Sequence, residues 1–428
     1  MSLKKRLIVC FVGVLLTLCF HYFISKKIAF VTYSNGYLRI QDYAYHIIIV
    51  KAFWFDGFGN IYDLYFQQQA LSSYIGTNIY TVMPLGITPI ALFVWSPFAY
   101  VARFSMALSY TLWITLSLFT LFTALWNIGR NLSLKESLPL LPITLSLVTL
   151  FSAATFFTII LGQTSILAAG LLIHLIYFVH KTTNPLKSNN LLIISLLIFI
   201  LGMKPTYIAL GLGLLMIYGM WRETIYSVAL ILVVLIGVTP MLTVEWVPSY
   251  LNLLQMYSHG NFPEFYAWAI VPETMNIFRS AFRNIIGDNL TGLISTIVTC
   301  CIYISVIGFS IFAKIRGEST DQFSPVRITK DQLFVLLVAS YLLFAPYAGA
   351  YEDVLFLSVF VMVLHVGNTP PLTNYKSLAL TFFLFAILFH NIFPLDKPLW
   401  LLWLLKALIL GYMLNFCRRG QKEKENVV

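Results

Sequence analysis

Charged side chains are scarce in this chain. Only 10% of its 428 residues are Asp, Glu, Lys or Arg, against roughly a quarter in soluble domains, and so few charges cannot cover a water-facing surface. A soluble enzyme is thereby excluded. Cysteine is rare too: Cys10, Cys19, Cys300, Cys301 and Cys417 fall in apolar stretches or in the C-terminal tail, which leaves polar loops without a disulfide framework. The histidines show no metal-ligand spacing, and His174, His365 and His390 read as packed interface residues. No Ser-His-Asp order, P-loop or Gly-rich nucleotide loop is present. The net charge is +10, but the basic residues are dispersed through short loops and the tail rather than gathered into a patch. That spread is the positive-inside signature of a membrane protein and argues against a nucleic-acid partner.

Apolar residues make up 59% of the chain and aromatic residues 16%. They lie in runs of about 15 to 25 residues, and about 20 suffice to cross a bilayer. The expectation is an all-α polytopic membrane protein with about 12–14 transmembrane helices. Residues 7–20 follow Lys4, Lys5 and Arg6 as a signal peptide would, yet no small-residue cleavage site follows His21, so they read as a retained first span. With the N-terminus cytoplasmic, a large first outer loop (25–84) contains a stretch with apolar groups at helical spacing (Tyr43, Ile47, Val50, Trp54), expected as an interfacial helix. Spans are expected near 87–101 and 108–126. Residues 138–162 fit one span or two short segments. The basic loop with Lys181 and Lys187 belongs in the cytoplasm, so two segments are expected, with Gly162, Gln163 and Thr164 outside. A break at Lys204–Pro205 follows, then a second outer loop (245–289) and further spans near 293–312, 333–344, 354–366, 377–389 and 399–414. Glycosylation sequons begin at Asn131 and Asn289, each a short match read as an outer turn.

Charges at membrane depth are costly and their positions informative. Asp42 stands just before the interfacial helix, where it reads either as an N-cap or as a general base. Lys204 precedes a proline between two apolar segments, and reads either as a snorkelling lysine or as an anion contact. Arg279 and Arg283 share one face of an expected amphipathic helix and suit a phosphate or lipid headgroups. Glu352 and Asp353 are adjacent at an outer turn, open to a sugar hydroxyl, a metal, the acceptor or solvent.

Several ordered pieces carry a resemblance: Asp42-Tyr43-Ala44-Tyr45; Asp56 through Asp63; Pro84 with Ser96-Pro97-Phe98; Gly162-Gln163-Thr164-Ser165; Gly202-Met203-Lys204-Pro205; and Met275 through Ser280. On these the chain resembles the C-type integral-membrane glycosyltransferases, and among them glycosyltransferase family 87, which includes polyprenyl-phosphate-mannose-dependent mannosyltransferases. The resemblance covers about residues 1–290, taken as a catalytic membrane module, with 291–428 as C-terminal helices and a short cytoplasmic tail. It implies a polyprenyl-phosphate sugar donor, a lipid or glycan acceptor, and an active site on the outer face of a plasma membrane, bacterial in type. Inverting transfer is implied, with Asp42 as the base and Lys204, Arg279 and Arg283 on the donor phosphate. Tyr45, Tyr62, Asp63, Gln163, Asn276, Glu352 and Asp353 are the implied substrate-binding residues. Neither a cofactor nor a divalent metal is required. One departure is that Tyr351, Glu352 and Asp353 stand where relatives often carry a histidine. The rival readings are a lipid-linked saccharide transporter or flippase and an O-antigen-type ligase or polymerase.

Overall fold

The computed structural model describes residues 31–34, 37–57, 59–76, 85–131, 153–181, 190–259, 277–315, 322–323, 328–345, 350–366, 403–404 and 406–414. The expected first span, from residue 7, and the one at 377–389 lie outside them. The architecture is helical, with two minimal antiparallel hairpins. The first pairs β1 (Val31–Ser34) with β2 (Tyr37–Ile40), Ser34 opposite Tyr37. The intervening sequence Asn35-Gly36 is a strong hairpin signal. The second hairpin joins β3 (Gln322–Phe323) to β4 (Ile328–Thr329).

From β2 the chain enters α1 (Asp42–Lys51), which continues into a π-helical turn, Ala52–Asp56. This is the helix expected at the interface, but its surroundings differ from expectation. Tyr43 to Tyr45 and Ile47 to Val50 are all buried, enclosed by α2 (Leu64–Ile75), α3 (Ala91–Ala102) and α4 (Met106–Asn131). An aromatic cluster fixes it there. Tyr43 packs edge-on to Tyr110 and stacks over Trp113, with centroids 5.3 and 6.2 Å away, and Trp113 meets Trp95 at 5.7 Å.

Then follow α5 (Ala153–Leu161), α6 (Ser165–Lys181), α7 (Leu191–Leu201), α8 (Pro205–Ile217), α9 (Trp221–Leu242), α10 (Trp246–His259), α11 (Ile277–Ile286), α12 (Asp288–Ile315), α13 (Lys330–Phe344) and α14 (Phe356–Val366). Among the described residues three helices are long and apolar enough to cross a membrane: Met106–Ile128 in α4, Trp221–Leu242 and Leu290–Phe312 in α12. Leu232, Val233 and Ile236 on α9, and Leu293, Ile297 and Ile304 on α12, are exposed. An apolar exposed face is what lipid requires, since helices do not need to hide apolar surface from hydrocarbon.

One part of the expected path is corrected. Trp113 Nε1 donates to Gly162 O at 3.1 Å, and Thr123 Oγ1 lies 3.3 Å from His174 Nε2, pairs 49 and 51 positions apart. A near-constant offset means that α4 and α6 run parallel, and Gly170 allows their backbones to meet, since a Cβ there would sit 2.8 Å from Leu121 N. Both helices therefore start at the Asp42 end and finish at the far end. α3, only 12 residues long and packed on α1, does not carry the chain across as expected for 87–101. Asn131 consequently lies at the same end as Lys181, not at an outer turn with the Asp42 end. Gly162 is back at the Asp42 end; the segments expected over 138–162 fall mostly on residues 138–152, which lie outside the described set. After Ser165 the turns that follow α6 and α8 and the start of α13 meet at the far end, as the charge pattern anticipates. Tyr218, after α8, and Asp331, in the first turn of α13, are hydrogen-bonded at the far end, with His180 Nε2 3.6 Å from the same carboxylate.

Candidate active site

Four interruptions of regular structure meet at one end of the bundle. The first is the start of α1. Gln41 is its extended N-cap and makes no side-chain cap bond, so Asp42 falls on the first helical position with its carboxylate released from capping. The second is the turn between α5 and α6. Gly162 has φ +68°, and a Cβ there would lie 2.3 Å from Tyr43 Cβ, so only glycine lets this turn press against α1. The third is the break at Gly202-Met203-Lys204-Pro205. Proline at the first position of α8 forces Lys204 into extended backbone (φ −125°, ψ 137°), and Thr88 clamps the break by donating its N–H to Met203 O at 2.9 Å and its hydroxyl to Gly202 O. The fourth is a 3-10 turn, Ala350–Leu355.

These interruptions bring distant polar groups into one chain of hydrogen bonds. Gln163 donates Nε2–H to Asp42 Oδ2. Its Oε1 is 3.4 Å from Lys204 Nζ, which donates to Glu352 Oε1 at 2.9 Å. Tyr207 OH donates to the other Glu352 oxygen at 2.6 Å, and the hydroxyls of Thr164 and Ser165 lie 3.4 Å from Tyr207 OH. Glu352 is fully buried, while the Lys204 side chain keeps 16% exposure. Lys204 thus turns its ammonium inward to a carboxylate, 5.3 Å from the centre of the Tyr207 ring, and does not snorkel to water. Desolvation pushes the Asp42 carboxyl up to about 6, partly offset by the Gln163 hydrogen bond and the charge of Lys204. A carboxyl tuned to that range can accept a proton near neutral pH and be charged beforehand.

The expected residues divide into groups. Asp42, Gln163, Lys204 and Glu352 come together, although Glu352 serves as the partner of Lys204. Asp353 is corrected away from an open substrate position: it is buried and pairs with Lys406 Nζ at 2.6 Å. Tyr45, Tyr62 and Asp63 shape the loop instead. Tyr45 OH donates to Gln67 Oε1, Tyr62 OH donates to Ile87 O at 2.8 Å, and Asp63 caps α2 by accepting from Tyr65 N at 3.1 Å. Asn276 lies outside the described residues. Arg279 and Arg283 fall on α11, as expected for an amphipathic helix there, but their side chains are outside the described set. The aromatic face of α11 is settled: Phe278 packs on Phe344 and Trp403 at 5.3 and 5.8 Å. Among the described residues no cluster of His, Cys, Asp and Glu is placed to hold a metal ion.

Sequence reasoning missed Tyr207, Lys406 and His46. Tyr207 lies three residues beyond Lys204 in the first turn of α8, and His46 lies one helical turn beyond Asp42, so spacing from the chosen residues was a usable signal for both. Lys406 stands inside the expected span 399–414, where a charge calls for a partner, but that the partner is Asp353, 53 positions away, depends on the chain's folding.

The arrangement is that of a membrane protein with a desolvated carboxylate and a lysine at one end of its bundle. A family model described as glycosyltransferase family 87 matches residues 88–324. That is more than half of the chain, and the protein belongs to this family of membrane glycosyltransferases, which are C-type in fold. The matched segment includes Gln163, Lys204 and Tyr207, whereas Asp42 and Glu352 flank it. No curated protein and no solved structure matches the chain.

Proposed function

We propose that this glycosyltransferase moves a hexose, mannose-like, from a polyprenyl-phosphate donor to a lipid or glycan acceptor, with inversion. The observation that carries the reading is the Asp42–Gln163–Lys204 sequence of contacts, which sets a base and a cation on either side of one amide. The acceptor hydroxyl gives its proton to Asp42 as its oxygen attacks the anomeric carbon. The bond from that carbon to the phosphate oxygen breaks on the opposite face, and its electron pair leaves with the polyprenyl phosphate. Lys204 stabilises the negative charge growing on that phosphate. Arg279 and Arg283, four apart on α11, are the second cationic element of the proposal. Glu352 and Tyr207 keep the ammonium oriented while the site is empty of donor. Because Lys204 supplies the positive charge, the step needs no divalent metal.

The site faces outward in this reading, at a plasma membrane of bacterial type. Support comes from the far end of the bundle, where Arg130, Lys181, Arg222 and Lys330 gather on the revised path, as expected for a cytoplasmic side. The test is transfer by purified protein in lipid nanodiscs from a synthetic polyprenyl-phosphate mannose to a glycolipid acceptor, followed by mass spectrometry. Wild type should transfer and Asp42→Asn should lose at least about a hundredfold in rate. Retention of half the activity by the variant would remove Asp42 from the chemistry.

A further inference from the structure

α1 is closed on nearly every side, and its two openings are one turn apart. From Asp42 to Val50 only Asp42 and His46 retain partial exposure. Side chains at i and i+4 share a helix face, about 5–6 Å apart at Cβ. Lys204, also partly exposed, is tied to Asp42 through the Gln163 amide. The His46 ring rests on Trp95, with centroids 4.8 Å apart. Trp95 is buried, and among the described residues its indole N–H has no hydrogen-bond partner. A buried donor left unused beside an open polar pair points to a ligand.

His46 is held neutral. Burial, with the charge of Lys204 added, pushes its imidazolium down to about 3, and its ring bonds the Asp42 backbone carbonyl. A neutral imidazole that donates from one nitrogen accepts at the other. This nitrogen is the acceptor that the strip offers beside the Asp42 carboxylate.

We propose that Asp42 and His46 form an acceptor subsite for a saccharide. The nucleophilic hydroxyl donates to Asp42, and a second hydroxyl of the same molecule donates to His46. A polyol ring can engage both groups, while a monohydroxy lipid can engage only one. The proposal rests on the glycosyl-transfer reading above and narrows its acceptor from "lipid or glycan" to a sugar-bearing molecule.

The experiment compares an alkyl mannoside with the matching alkyl alcohol as acceptors, using full-length protein in nanodiscs and a polyprenyl-phosphate mannose donor. Wild type should prefer the mannoside. His46→Ala should raise its KM about tenfold, the worth of one well-made hydrogen bond, with donor KM and the acid limb of the pH profile unmoved. His46→Asn, which keeps a neutral acceptor oxygen, should recover part of the loss. An unchanged mannoside KM in His46→Ala, or a rise in donor KM instead, overturns the subsite while leaving glycosyl transfer intact. Equal losses with both acceptors together with a lowered melting temperature reveal a packing role and overturn it as well. A wild type that transfers to neither acceptor defeats the transfer reading itself, and the subsite with it.

Discussion

At the scale of single residues, the chemistry depends on how Asp42 is kept basic. The carboxyl is raised to about 6 by desolvation and lowered by Gln163 and Lys204, and as a general base it works only when ionised. kcat/KM should therefore be level above pH about 6 and fall roughly tenfold per pH unit below it. Gln163→Leu removes one lowering influence, so its acid limb should move to higher pH; an unmoved limb would detach Gln163 from the base. Lys204 gives a second comparison. A phosphate contact tolerates arginine better than methionine, and methionine also strands the buried Glu352 carboxylate. Lys204→Arg should keep measurable transfer and Lys204→Met should lose it, with activity compared at equal amounts of folded protein below the melting temperature of both. Methionine equal to arginine would remove the cation from the mechanism. Chelation by EDTA should leave the wild-type rate unchanged.

At the scale of elements, the site depends on turns that regular helices cannot make. Gly162→Ala adds a Cβ 2.3 Å from Tyr43 Cβ at a left-handed φ, which must displace the start of α1 and with it Asp42. Lower melting temperature together with loss of transfer is the expected result. The 3-10 turn carrying Glu352 is fixed by its neighbour. Asp353 and Lys406 keep only 2% and 4% side-chain exposure, so Asp353→Asn should cost about 3–5 kcal/mol by leaving a buried ammonium unpaired. Asp353→Asn combined with Lys406→Met should regain most of this in a denaturation assay. Additive losses in the double variant would show that the two side chains do not depend on each other.

At the scale of the whole molecule, the path of the chain is open to direct test. Parallel α4 and α6 place residue 131 with Lys181, whereas Arg103 packs 4.7 Å from the centre of the Phe55 ring, on the π-helical turn that continues α1. Cysteines at 103 and 131, introduced singly and probed with an impermeant maleimide on intact cells, should therefore label oppositely, position 103 from outside. The reverse pattern would restore the expectation that 87–101 and 108–126 are two successive crossings. The site is also a whole-chain assembly: Asp42 and Glu352 are separated by most of the sequence, so the division at residue 290 does not enclose the network.

Composition alone determined that this is a helical membrane protein, because scarce charge and long apolar runs leave no soluble alternative. Local chemistry determined the breaks: Pro205 fixed the extended backbone at Lys204, and Gly162 marked a turn that a Cβ would forbid. Ordered short motifs pointed to the family that the match over 88–324 establishes. Tertiary structure decided the pairings. Whether Asp42 capped its helix or met Gln163, and whether Lys204 reached water or Glu352, depended on groups 121 and 148 positions away, beyond any local spacing. It also decided which apolar segments cross, since a 12-residue helix packed on α1 and the start of a span have the same hydropathy. Helix direction is carried by contacts such as Trp113 with Gly162, and a one-dimensional pattern of apolar residues does not hold that information.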